Sequence, residues 1–148
     1  MAGDLYLDDL HVGQRFAAGP VSVSTAEIKR FAAEFDPQPF HLDEVAAKAT
    51  IFGGLAASGW HTMALTMRML TSGGMPIATG VIGVGGEIAW PRPVRPGDEL
   101  RVESEVLEIT PSRSKPGQAV VTMRSTTTNQ NGEPVQILTA KLFAFARP

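Results

Sequence analysis

The stretch that decides the fold is 58-SGWHTMALTMRMLTSGG-74. Ser58 is placed to cap a helix and Gly73 and Gly74 to stop it. Between them Trp60, Met63, Ala64, Met67 and Leu70 share one stripe, and Leu65 and Met69 make most of the rest apolar as well. A helix apolar nearly all round is a buried one, so this segment is predicted to lie inside the molecule.

Both flanks fit a core of that kind. Downstream, 81-VIGVGGEIAW-90, 99-ELRVESEVLEI-109, 119-AVVTMRSTTT-128 and 135-VQILTAKLFAFA-146 are rich in β-branched residues and separated by turn-forming runs. Asn131-Gly132 is a hairpin signal between the last two. Upstream, 24-STAEIKRFAAEF-35 opens with Ser24 and Glu27 at capping-box spacing and places Ile28, Phe31, Ala32 and Phe35 on one face. Pro37 ends that helix, and a short second one is predicted over 44-EVAAKA-49. One buried helix followed by long antiparallel strands predicts an α+β fold, with a sheet wrapped around a long central apolar helix. At 148 residues the chain is expected to form a single domain spanning residues 1–148.

Composition narrows the function. A net charge of −2 with scattered basic residues gives no footprint for nucleic acid. The absence of cysteine excludes disulfides, thiolate nucleophiles and cysteine-ligated zinc. No apolar run reaches the roughly 18 residues of a membrane span, and the N-terminal 1-MAGDLYLDDL-10 carries acids where a signal peptide is basic. A cytoplasmic location without membrane partners is the expectation. No H-E-x-x-H or comparable ligand spacing occurs, so no metal is expected, and no helix pattern follows 83-GVGGEI-88 to make it a dinucleotide site.

The chemistry points to 36-DPQPFH-41. Each proline fixes its own φ and pushes the residue before it towards extended geometry. The segment reads as a stiff connector that holds Asp36 and His41 at a set separation. A carboxylate and an imidazole over one pocket can grip a water and move its protons. Just beyond, 56-AASGW-60 offers a helix N-terminus with small residues around it, where unpaired N–H groups can meet developing negative charge. His61 is expected in a capping or core role, and His11 has no partner in view.

These residues resemble the MaoC-like dehydratases, the family of (R)-specific enoyl-CoA hydratases, which has the hot-dog fold. Asp36 and His41 match the family's catalytic dyad, and Gly59 matches the glycine whose backbone N–H polarises the thioester carbonyl, with Ser58 beside it at the cap. The resemblance implies reversible syn addition of water to a trans-2-enoyl thioester, giving a 3-hydroxyacyl product. It implies no cofactor beyond the CoA or carrier-protein thioester itself, and a homodimer or larger homo-oligomer. Gln38 stands where the family has asparagine and Phe40 where it has an aliphatic residue. Phe40 and Trp60 are therefore candidate walls of the acyl pocket, and Arg92 and Arg95 in 91-PRPVRPGD-98 candidate contacts for CoA phosphates.

Two other readings use the same fold. Many hot-dog thioesterases place an acid on the central helix, and 59-GWHTMALTMRMLTS-72 contains neither Asp nor Glu. A subunit that binds acyl thioesters without turning them over would keep the pocket, and the intact Asp36/His41 pair argues for turnover instead.

Overall fold

The structure is a computed structural model and describes residues 3–148. After a short 3-10 turn at Leu7–Asp9, strand β1 covers Arg15–Ser22. Helices α1 (Thr25–Phe35), α2 (Pro39–Leu42), α3 (Glu44–Lys48) and α4 (Gly59–Met69) follow, and then β2 (Gly83–Ala89), β3 (Glu99–Pro111), β4 (Gln118–Thr128) and β5 (Pro134–Phe145). The five strands form one antiparallel sheet in the order β1-β3-β4-β5-β2. The β4–β5 hairpin turns at Asn131-Gly132, where Gly132 takes the positive φ of 75° that a side chain would disfavour.

The sheet curves around α4. Leu65 and Met69 of the helix and Leu70 just after it pack against Leu100, Val102 and Val106 of β3, Val121 and Met123 of β4, and Val135 of β5, all buried. Alternate residues of β3 and β4 point inwards, as strands with one covered face require.

Helix α1 forms as its sequence predicts. Ser24 Oγ accepts from Glu27 N–H at 3.1 Å, and the Glu27 carboxylate accepts from Ser24 N–H at 3.3 Å, a reciprocal cap that satisfies two donors otherwise left open. Ile28 and Ala32 are buried, Phe31 is half-buried, and Phe35 at the end of the stripe is exposed.

Helix α4 departs from expectation in two ways. It is not long: eleven α-helical residues continue into a five-residue π-type turn, Leu70–Gly74. Nor is it buried all round. The buried face is His61, Thr62, Leu65, Thr66 and Met69, whereas Trp60 and Ala64 of the predicted stripe are exposed and Met63 and Met67 only half-buried. Thr66 and His61 are accommodated inside beside Leu65 and Met69 because the first finds a hydroxyl and the second a ring to stack on. Thr66 Oγ1 and Thr127 Oγ1 share a hydrogen at 2.7 Å, and the His61 ring stacks on Phe31 with centroids 4.7 Å apart.

Candidate active site

The segment joining α1 to α4 carries the chemistry. Helix α1 stops at Phe35, and Asp36 is its C-cap, with φ −153° and ψ 66°. Beyond it the chain is not the extended connector that two prolines suggest. Pro39 occupies the first position of α2, where its missing N–H costs nothing and its fixed φ suits a helix. The resulting turn closes with His41 N–H on Gln38 O at 3.0 Å and swings the imidazole back towards Asp36. His41 Nε2 lies 3.3 Å from Asp36 Oδ2.

His41 is 4 % exposed. Its Nδ1 is 2.6 Å from the carbonyl of Ala56, an atom that only accepts, so Nδ1 carries the hydrogen and Nε2 is left to face the carboxylate. Two further bonds secure this crossing: Ala56 N–H donates to Phe40 O at 3.1 Å and Ala57 N–H to Val94 O at 2.9 Å. The Phe40 ring meets the imidazole edge-on at 4.6 Å and Phe52 lies tilted to it at 6.0 Å, which leaves the histidine little room to rotate.

Asp36 is held as firmly. Ser58 Oγ donates to Oδ2 at 2.7 Å, and the Gln38 amide donates to Oδ1 at 2.5 Å. Burial alone would raise the pKa of this carboxyl. The hydrogen bonds from Ser58 and Gln38, with the neighbouring His41, outweigh it and hold Asp36 below the ordinary carboxylate value. Gln38 therefore supplies a donor to the acid, which gives its place in the motif a physical role.

Ser58 links the dyad to α4. Besides bonding Asp36, its Oγ accepts from Trp60 N–H at 3.2 Å and its carbonyl from His61 N–H at 3.0 Å and Thr62 N–H at 3.1 Å. Gly59 N–H, the first of the helix, has no acceptor among the described residues. A donor at a helix N-terminus is the kind of group that stabilises negative charge arising on a bound oxygen. The glycine has a second reason as well. A β-carbon at 59 would lie 2.6 to 2.8 Å from three atoms of the Trp90 indole, so the absent side chain makes room for a ring 31 positions along.

These groups border a cleft of about 610 Å³. Its lining comes from three segments: Gln38, Phe40, His41, Ile51 and Phe52; Trp90 to Val94; and Ala57, Gly59 and Thr62 around the start of α4. The cleft thus brings together His41, Phe40, Gly59 and Arg92 of the residues singled out from sequence, with Asp36 and Ser58 bonded directly behind them. Two of the sequence assignments need correction. Trp60 does not line the cleft; it is 60 % exposed and packs edge-on against Trp90 at 5.4 Å. Arg95 is not available for phosphate, because its guanidinium donates to Gly54 O at 2.9 Å, to Leu55 O at 3.2 Å and to Phe52 O. It braces the glycine-rich approach to α4. Arg92 keeps an exposed guanidinium, 3.3 Å from Glu133.

Sequence reasoning missed Trp90, Phe52, Thr62 and the Ala56 carbonyl. A large aromatic immediately before a proline-rich turn was the available signal for Trp90; the others lie in segments whose contacts are not local.

Residues 10–130 match the model of the MaoC like domain. The chain superimposes on the crystal structure of a MaoC-like dehydratase from Rhodospirillum rubrum with a TM-score of 0.97 and 60% identity, covering 98% of this chain and 99% of that one. The R-hydratase PhaJ1 from Pseudomonas aeruginosa gives a TM-score of 0.79 at 31% identity, over 99% of this chain and 89% of the other. A 3-hydroxybutyryl-CoA dehydratase of Methylorubrum extorquens is 32% identical over 112 residues, 75% of this chain and 69% of its own length.

Proposed function

The chain belongs to the MaoC-like dehydratase family with its hot-dog fold, and from that premise we propose that it adds water reversibly to trans-2-enoyl-CoA thioesters, giving 3-hydroxyacyl-CoA. The observation that carries this reading is the Asp36–His41 pair, 3.3 Å apart, whose histidine lines one cleft with Gly59. A thioester oxygen at the Gly59 N–H places C3 of the enoyl group towards the dyad. A water held by the Asp36 carboxylate and His41 Nε2 then has both acceptors it needs to surrender a proton.

In the addition step the water oxygen bonds to C3 and the C2–C3 π pair shifts towards the thioester, where Gly59 N–H receives the enolate charge. Asp36 and His41 between them take the water's proton and return one to C2 on the same face. The Nδ1–Ala56 bond assigns proton transfer to Nε2, and the donors on Asp36 keep it ionised at neutral pH. Both transfers run through side chains, so the reading requires no resident cofactor. Arg92, exposed at the cleft, is proposed to meet the phosphates of CoA.

We further propose a homodimer. β2 is an edge strand, exposed along nearly all its length, and Ile82, Val84 and Trp60 add exposed apolar surface. Pairing β2 with its symmetry mate would cover an edge that otherwise invites aggregation.

The test is spectrophotometric. Crotonyl-CoA and longer enoyl-CoAs lose enone absorbance on hydration, whereas hydrolysis releases free thiol. Asp36→Asn and His41→Ala are each expected to lower hydration by about 10²–10⁴-fold, the usual contribution of a general acid–base group, with circular dichroism unchanged. Full activity in either variant would remove the dyad from the mechanism, and thiol release without enone loss would make the protein a thioesterase.

A further inference from the structure

Trp90 follows the last residue of β2, where the chain turns into Pro91, Arg92 and Pro93. Its indole is fixed from two sides. The ring lies so close over Gly59 that no β-carbon fits between them. Its Nε1–H donates to Gln136 Oε1 at 3.0 Å. Gln136 is on β5 and wholly buried. Its amide NH₂ donates to Thr66 Oγ1 at 3.1 Å and lies 3.6 Å from Met63 Sδ, and Thr66 in turn shares a hydrogen with Thr127.

A buried glutamine amide is costly unless its donor and acceptor sides are both satisfied. Here both are, and the acceptor side is used entirely on the indole. The network from α4, β4 and β5 therefore ends in one fixed ring. That ring has two different neighbours. On one side it lines the cleft next to Gly59 and Thr62; on the other lie the buried Gln136 and Thr66 and the half-buried Met63. Trp90 thus stands between the open cleft and the packed side chains of α4 and β5.

We propose that Trp90 is the specificity-determining wall that limits the acyl chain, and that Gln136 is the positioning residue that keeps it in place. The inference rests on the enoyl-thioester reading above and names its substrate class: short acyl chains, with longer ones excluded by the indole. With the thioester oxygen at Gly59 N–H, an acyl tail that continues past Thr62 along α4 meets the ring. A Phe or Leu at position 90 would lack the N–H that Gln136 holds, and the wall would become mobile.

The experiment compares kcat/KM for C4, C6 and C8 trans-2-enoyl-CoAs in wild type, Trp90→Ala, Trp90→Phe and Gln136→Met. Wild type is expected to favour C4 over C8 at least tenfold. Trp90→Ala should raise the C8-to-C4 ratio tenfold or more, mainly through KM for C8, and Trp90→Phe and Gln136→Met should move it the same way by a smaller factor. The two milder variants keep the test alive if Trp90→Ala does not fold. Calorimetric binding of butyryl-, hexanoyl- and octanoyl-CoA to the same proteins reads length preference without turnover. A protein that binds these esters with the expected length shift and hydrates none refutes the reaction and retains the wall. An unchanged ratio in folded Trp90 variants, in hydration and in binding, overturns the wall while leaving the reaction intact. Absence of any acyl-CoA binding overturns both.

Discussion

Replacing Gly59 by alanine tests whether the site is built around the contact between α4 and Trp90. The new β-carbon would stand 2.6 Å from Cε2 and 2.8 Å from Cδ2 and Cζ2 of the indole. To reach ordinary contact the ring or the helix end must give by roughly 0.8 Å, and strain of this kind costs about 1–3 kcal/mol. The ring cannot retreat freely, because its N–H is held by Gln136 at 3.0 Å; stretching that bond adds up to about 1 kcal/mol. Removing a glycine from the first turn of a helix offsets less than about 1 kcal/mol. The net expectation is a loss of about 1–3 kcal/mol, or a fall in Tm of roughly 3–10 °C for a chain of this length. Thermal and urea unfolding of wild type, Gly59→Ala, Trp90→Ala and the double variant, at one protein concentration, isolates the pair. In the Trp90→Ala background the alanine should be neutral or slightly stabilising. Alanine keeps the backbone N–H, so hydration in the double variant should match that of Trp90→Ala alone. Equal destabilisation in both backgrounds would refute the argument, and so would a Gly59→Ala protein as stable as wild type.

Other expectations follow from the same contacts. Asp36 is held below its ordinary value of 3.8 when folded, so its contribution is complete above the unfolded pKa and is lost as pH falls through the lower folded one. Asp36→Asn should therefore lose less stability than wild type between about pH 5 and pH 3, and urea midpoints showing equal losses would count against the held carboxylate. His61 is pushed below its ordinary 6.5 by burial, with Glu27 opposing and Arg68 and Arg30 adding to the shift, and its Nδ1 has no partner among the described residues. The unfolded chain then takes up the proton first, so stability drains below about pH 6.5. His61→Leu should flatten that slope and leave the protein at pH 7 no less stable, and a steeper slope would contradict the assignment. Arg95→Met should lower stability by about 1–3 kcal/mol, since it strips a charged donor from three carbonyls. Arg92→Ala should leave the melting temperature alone and raise KM for CoA esters but not for pantetheine esters. Reversed behaviour of the two arginines would show that their roles have been exchanged.

Much of this site was legible in the chain because its signals are local. The capping box at Ser24 and Glu27, the Asn131-Gly132 hairpin and the strand patterns each depend on neighbours within a few residues. So did the five-residue spacing of Asp36 and His41. What was not legible depended on contacts between distant segments. Proline at 39 restricts Gln38 to extended geometry yet is itself well suited to start a helix, and only the second effect decides the path to His41. The apolar stripe of α4 reads as buried because sequence counts apolar groups, whereas the burial of Thr66 depends on the hydroxyl of Thr127, 61 residues away. Arg95 reads as a free cation until the carbonyls of residues 52, 54 and 55 are placed around it. Gly59 reads from the resemblance as a backbone donor, and its second constraint is a tryptophan that no local pattern connects to it.

The placement of Asp36 carries an argument of its own. As the C-cap of α1 it stands where the helix dipole and the last carbonyls disfavour negative charge, and burial works in the same direction. Folding alone would be served better by a glycine or asparagine at a helix end. The carboxylate persists because two donors from outside α1, the Gln38 amide and the Ser58 hydroxyl, converge on it beside the His41 ring. Two of these three groups are anchored in turn, His41 by the Ala56 carbonyl and Ser58 by the first turn of α4. Glu27 makes the contrast. Its carboxylate lies in the first turn of the same helix, where the dipole favours it, and it completes the capping box. Structural stability accounts for Glu27 without residue. For Asp36 it accounts for the donors only if the charge they hold is used, and the cleft beside it is where a water and an enoyl thioester would use it.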